Sequence, residues 1–340
     1  MVIMRIICTL SWVQNAFEDY LDKCHICGTA GLADASDSSD SWTLAHDNGL
    51  APALDIKDSE GIWVTPDLLI ALNEWRKAKG MEPLLFETPA AGWMSSLPFE
   101  LLGRTTLTTS VADILSWTRM PAELGEEPWS QLDQGRVPEF RAARRDLATL
   151  QHDLASAPLD SLVTVNGHIP GIAEEWCVIV HDGDAVASCG YCVHLTPDSH
   201  EIATVFDRAT FHGEYQQLAE QAASEAARIG GLGDASIIVG FRAQKGRNKE
   251  EAQVQIQTRT RSQPDTFIIE ADPVWCTTPY PFETDRETRV FLNAIRDSRI
   301  LRQSDGTFRS ADGRAIPEAN VYSPDPWMLQ RNRRRYLGFN

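Results

Sequence analysis

The chain has 340 residues, of which 48 are acidic and 31 basic, giving a formal net charge of −17. Such a field repels phosphate backbones and anionic lipid, so nucleic acid and membrane surfaces are not expected partners, and a nucleotide would have to enter through a locally basic cleft. With 43% hydrophobic and 23% charged residues, the composition is that of a soluble globular chain and excludes wholesale disorder.

The apolar opening from Met1 to Val13 carries Arg5, falls well short of a membrane span and lacks a small-residue cleavage site. It reads as a buried first strand over Met4–Leu10, followed by a helix over Val13–Leu21 and a loop rich in Ser, Asp and Gly from Gly28 to Gly49. Thr65-Pro66-Asp67 predicts a helix with a capping residue and a proline in its first turn, with Leu68, Leu69, Leu72 and Trp75 on its buried face and Gly80 at its end. A short strand at Pro83–Phe86 precedes Leu97-Pro98 and Leu101-Leu102-Gly103-Arg104, and Thr109 or Ser110 is placed to cap the next helix.

From Leu162 the pattern turns to strands: Leu162–Val165, Trp176–His181 and Ala185–His194. The last two form a hairpin, because Asp182-Gly183 supplies the positive backbone angles of a tight turn. Gly213–Ile229 has Leu218, Ala222, Ala226 and Ile229 at helical spacing. Strands are expected at Ala235–Phe241, Gln253–Thr260 and Thr266–Glu270, with a charged loop at Lys245–Glu251, and a helix at Thr284–Arg296. The basic run Arg331, Arg333, Arg334 and Arg335 suits the end of a helix. Antiparallel-looking strands after a helix exclude an all-parallel dinucleotide-binding sheet and give the fold class α+β.

Seven cysteines at no dense spacing fit reduced thiols in the cytoplasm. Cys24-His25-Ile26-Cys27 looks like half of a zinc knuckle and Cys189-Gly190-Tyr191-Cys192 offers a second pair. Strand alternation sends Cys189 and Cys192 to opposite sides, so incidental buried thiols are the reading preferred to a shared metal site. A zinc or thiol enzyme using these pairs with His168, His181 or His194 ranks lower still, since neither a His-Glu-x-x-His helix nor a nucleophile-elbow glycine motif occurs.

Phe267-Ile268-Ile269-Glu270-Ala271-Asp272 is an apolar strand ending in two acids spaced by two, which alternation places on one face. Two oxygen ligands on one face suit magnesium, which bridges nucleotide phosphates. Upstream lie Leu97-Pro98-x-Glu100-Leu101-Leu102-Gly103-Arg104 and Glu175-Trp176-Cys177-Val178-Ile179-Val180-His181-Asp182-Gly183, and downstream Pro273-Val274-Trp275 and Pro279-Tyr280.

In this order the segments, spanning roughly Pro83 to Ile295, resemble the ATP-grasp superfamily, in particular the clade named for one arginine and two lysines. The resemblance implies a nucleotide cleft between two α+β subdomains at 83–298, preceded by a small α/β unit at 1–82 and followed by a hairpin and tail at 299–340. It implies a phosphate contact for Arg104, and it places Gln131 at the first lysine position and Arg136 at the second, with Arg141, Arg144 and Arg145 nearby as further cations. Glu175 matches the family's Glu-x-Arg, with Cys177 in place of the arginine. Gly240 stands where a metal-binding aspartate is usual, and Glu270-x-Asp272 replaces Glu-x-Asn. Trp129 or Trp176 could flank an adenine.

The implied activity is an ATP- and Mg2+-dependent ligation of a carboxylate to an amine through an acyl phosphate, on an amino acid, peptide or small carboxylate. A homodimer is left open. The alternative is a degenerate copy of the fold that binds nucleotide or a protein partner without turnover.

Overall fold

The structure, a computed structural model, describes residues 2–27, 42–47, 56–196, 201–242 and 265–336. The expected loop at Lys245–Glu251 and strand at Gln253–Thr260 lie outside these residues, as does most of the segment from Gly28 to Gly49.

The first apolar run forms β1 (Val2–Ile7), the middle strand of a parallel sheet flanked by β2 (Trp42–Asp47) and β3 (Gly61–Val64). A central parallel strand is covered on both faces. Helix α1 (Ser11–Cys27) brings Val13, Phe17 and Tyr20 to Met4 and Ile6, and α2 (Pro66–Ala78) brings Leu68, Leu69 and Leu72 to Ile7, Ile62 and Val64. Thr65 is the extended N-cap of α2 but makes no side-chain capping bond, so Pro66 alone fixes the first turn. Trp75 is 44% exposed, contrary to the expected buried face. Arg76 occupies that side instead and donates from Nε to the Glu82 carbonyl at 2.8 Å.

A second sheet is built from β5 (Thr106–Ser110), β6 (Trp129–Leu132), β7 (Ala143–Arg144) and β8 (Leu162–Asn166), antiparallel in the order β5-β8-β6-β7. It is preceded by β4 (Leu85–Phe86) and the one-turn helices α3 (Trp93–Ser96) and α4 (Phe99–Leu102). Helices α5 (Val111–Ser116) and α6 (Leu147–Leu154) bury Val111, Ile114, Leu150 and Leu154 with Leu132, Val163 and Val165 of the sheet. Of the two candidate caps, Ser110 is the one used: its Oγ accepts from the Asp113 N–H at 3.1 Å.

The third sheet is fully antiparallel, ordered β11-β10-β9-β12-β13, from β9 (Ile172–His181), β10 (Asp184–His194), β11 (Ile202–Thr204), β12 (Ala235–Arg242) and β13 (Thr266–Asp272). The β9–β10 turn has φ +52° at Asp182 and +82° at Gly183, as the Asp-Gly pair requires. On one face lies α7 (Glu214–Ile229), which buries Ala219, Ala223, Ala226 and Ala227 over Val178, Val180, Ile237 and Val239. The helix is rotated from the expected stripe, leaving Ile229 51% exposed. Alanines let its axis approach the sheet, which a Leu–Ile stripe would hold off.

The opposite face carries Cys177, Ile179, Ala187 and Cys189 against α1 and α8 (Asp285–Asp297). Thr284 and Glu287 cap α8 reciprocally, and the helix runs one residue beyond the expected end at Arg296. None of the described helices is long and apolar enough to cross a membrane.

The C-terminal strands β14 (Arg299–Arg302), β15 (Phe308–Ser310) and β16 (Ala315–Ile316) add to β4, and α9 (Pro326–Tyr336) sends Trp327 and Met328 into the core of the second sheet. Arg314 ties this region to the third sheet. Its Nη2 lies 2.7 Å from Glu87 Oε2 and 2.6 Å from Asp234 Oδ2, and both acids are buried. Arg314→Ala would leave two buried carboxylates facing one another, and a loss of about 3–5 kcal/mol in urea unfolding is expected; a loss under about 1 kcal/mol would show the network to be solvated.

Candidate active site

The second and third sheets face each other across a cavity of ≈ 520 Å³. From the second sheet and its following loop come Trp129, Gln131, Arg144, Asn166 and His168; from the third come Glu175, Tyr191, His194, Ile238, Glu270 and Asp272. Arg104 and Arg136 also line it. The resemblance's residues Arg104, Gln131, Arg136, Glu175, Glu270 and Asp272 thus share one space.

Arg104 enters at a sharp corner. Gly103 closes α4 with φ +61°, and a Cβ there would lie 2.2 Å from the Phe267 ring, so only glycine permits both the turn and the packing of α4 on β13. Arg104 is 9% exposed and donates from Nη2 to the Ile269 carbonyl at 2.8 Å, while its buried Nε has no partner among the described residues. Burial pushes its pKa down to about 10, against the pull of Glu175 and Glu270. A buried cation holding an unused donor beside a cavity is suited to an anionic ligand.

Glu270 pairs with Ile238 and Asp272 with Ser236, so the two acids share a face of β13 as alternation predicts. They converge on one cation. Arg136 Nη2 donates to Glu270 Oε1 and lies 3.4 Å from Asp272 Oδ1, and Gln131 Nε2 donates to the same Glu270 oxygen at 3.1 Å. Asp272 and Glu270 hold Arg136 firmly in its charged form. The two acid oxygens therefore already meet at a point occupied by positive charge, and their donor chemistry fits magnesium.

The remaining motif positions differ. Cys177 is buried and sits 3.2 Å from Ser236 Oγ, with its thiol pushed up to about 12 by burial; it carries no charge toward the cavity. Gly240 pairs with Glu175 and so lies on the cavity face, but a Cβ there would meet Ile269 Cδ1 at 2.8 Å and Ile172 Cδ1 at 3.3 Å. A bulge in β13 between its pairings with Ile238 and Val239 inserts Ile269 as an extra residue, and Ile269 fills the place of an aspartate. No lysine occurs between Lys79 and Lys245, so the cavity's cations are arginines.

Among the other nearby arginines, Arg144 lines the cavity from β7. Arg145 turns away, bonding Asp153 at 2.8 Å and packing over Phe140. Of the two tryptophans, Trp129 lines the cavity. Trp176 belongs to the opposite face, bonded to Glu174 and packed on Phe211. The residues not anticipated for this space include Ala142, Asn166, Ile169, Ile172 and Thr278.

A second cavity of ≈ 530 Å³ shares Arg136, Ile238, Asp272, Thr278 and Tyr280 with the first and reaches Thr9, Thr65 and Asp67 of the N-terminal unit. The Arg136–Asp272 pair is thus part of the wall common to both.

No protein-family model matches the chain. No curated protein matches it either. Among solved structures it is similar to the D-alanine–D-alanine ligase from Bacillus anthracis, at 9% identity and TM-score 0.46, over 87% of this chain and 97% of that one. It is also similar to a RimK domain ATP-grasp protein from Sphaerobacter thermophilus, at 11% identity and TM-score 0.45, over 88% and 99% of the two chains. A third is the ATP-grasp ligase PsnB complexed with minimal precursor, at 11% identity and TM-score 0.39, over 86% and 97%. At these values the likeness carries no residue-by-residue correspondence.

Burial and the neighbouring Glu270 push the Asp272 carboxyl up to about 6, with Arg136 pulling it back. A carboxyl raised on folding binds more protons folded than unfolded between about pH 4 and 6, so it makes stability fall as pH rises through that window. The difference in unfolding free energy between wild type and Asp272→Asn should therefore decline from pH 4 to pH 6 and level off above. A difference that grows with pH would show that the arginine pairing outweighs burial.

Proposed function

We propose that the chain is an ATP-dependent carboxylate–amine ligase of the ATP-grasp type, acting on an amino acid, peptide or small carboxylate. The observation that carries this reading is the cavity between two antiparallel sheets in which Arg104, Arg136 and Arg144 face Glu175, Glu270 and Asp272, in the motif order that the resemblance supplies. Three cations and three acids balance, so the cavity cannot by itself offset a nucleotide triphosphate. Glu270 and Asp272 would hold magnesium, which would supply the missing positive charge on the phosphates.

Arg104 supplies the unused buried donor for a phosphate oxygen, and Arg136 is drawn from the acids toward the phosphates once their charge arrives. Catalysis here is positioning and electrostatics. The carboxylate substrate attacks the γ-phosphorus, ADP leaves, and the amine opens the acyl phosphate with loss of phosphate; no protein nucleophile is required. The second cavity meets the first at Arg136 and Asp272, so an acceptor bound there would be within reach of the transferred phosphoryl group.

The binding-protein alternative draws on a specific feature: Arg136 is committed to the two acids and Ile269 fills the space at Gly240. Incubating the protein with magnesium-ATP and pooled amino acids or dipeptides separates the two. The ligase reading expects ADP and phosphate release stimulated by at least one pool. It also expects Arg104→Ala to weaken nucleotide binding about 10- to 100-fold, since a charge-assisted bond is worth about 1.5–3 kcal/mol. Thermal stabilisation by ATP with no ADP release under any pool would favour the binding protein.

A further inference from the structure

Strand β10 is bulged against β9 at two places, and at the second Gly190 pairs with Trp176 and Cys192 with Glu175, leaving Tyr191 between them without a ladder partner. Paired residues of an antiparallel ladder share a face, so this bulge turns Cys192 to the side of Glu175. His194, two residues on, follows it. The expected opposition of Cys189 and Cys192 is thereby overturned, because Cys189 pairs with Cys177 on that same side and joins the core further along the strand.

The Glu175, Cys192 and His194 ligand atoms all lie within 4.8 Å of one another, and His194 Nε2 is 2.7 Å from Glu175 Oε1. Cys192 is 2% exposed, while Glu175 and His194 line the 520 Å³ cavity. We infer that these three side chains bind one divalent transition metal of the zinc class. The site stands on its own side chains, independent of the nucleotide reading.

Thiolate, imidazole and carboxylate are all zinc ligands, and three protein ligands with one open position is the pattern of reactive rather than purely structural zinc. Tetrahedral ligands at about 2.0–2.3 Å from zinc stand roughly 3.3–3.7 Å apart, so the three atoms need move by only about an ångström. A dication with one thiolate, one carboxylate and a neutral imidazole sums to zero charge, which limits the cost of burial. The sulfur donor discriminates against magnesium, which takes oxygen ligands. The nearby cation, Arg104, donates to the Ile269 carbonyl. The open position faces the cavity, where water or an anionic oxygen of a bound ligand completes the coordination.

Cobalt(II) titrated into the chelator-stripped, reduced full-length chain is the test. One equivalent should give the intense visible bands of four-coordinate cobalt and a near-ultraviolet thiolate-to-cobalt transition, both displaced by zinc. Cys192→Ser should remove the thiolate transition, and His194→Ala, at a partly buried position, should weaken binding at least about tenfold. The Cys24→Ser/Cys27→Ser double variant should retain the signal. Absence of the thiolate transition in wild type, its survival in Cys192→Ser, unchanged affinity in His194→Ala, or its loss in the Cys24/Cys27 variant would each overturn the assignment.

Discussion

The contact on which the arrangement turns is the meeting of Arg136 with Glu270 and Asp272. It joins a loop following β6 to the end of β13, and so joins the second sheet to the third across the cavity. Two acids on one strand face repel, and partial desolvation together with Glu270 raises the Asp272 carboxyl. One guanidinium nitrogen, Arg136 Nη2, answers both carboxylates at once. The same group is part of the wall between the two cavities, so any ligand that draws Arg136 away alters both.

That contact links the fold to the chemistry. The β13 bulge that places Ile269 over Gly240 keeps Glu270 and Asp272 aimed at the cavity, and the corner at Gly103 brings Arg104 to the Ile269 carbonyl. Backbone irregularities at these points set which charges enter the space. The bulge at Tyr191 does the same further across that face of the sheet by turning Cys192 toward Glu175 and His194.

Much of this was legible in the sequence because it depends on short-range rules. Alternation put Glu270 and Asp272 on one face, Asp182-Gly183 closed the hairpin, and the α+β class followed from antiparallel strands after a helix. What failed was whatever a single irregular residue decides. The extra residue at Tyr191 reversed the expected direction of Cys192. The face of α7 was only partly right: Ala226 is buried and Leu218 and Ala222 pack at its edge, but Ile229 is exposed and Ala219, Ala223 and Ala227 carry the rest of the contact, where close packing on the sheet favours alanine. Trp176 could have been set aside from parity alone, since its neighbour Glu175 faces the cavity. The pairing of Arg136 with the acids joins distant parts of the chain and has no local signal.

The central claim is that the space between the two sheets is a nucleotide site governed by this acid pair. Isothermal titration of ATP, with and without magnesium, into wild type, Glu270→Ala and Asp272→Ala tests it most directly. The account predicts magnesium-dependent binding in wild type that either substitution abolishes. No heat of binding at millimolar ATP, or binding indifferent to both substitutions, would contradict it.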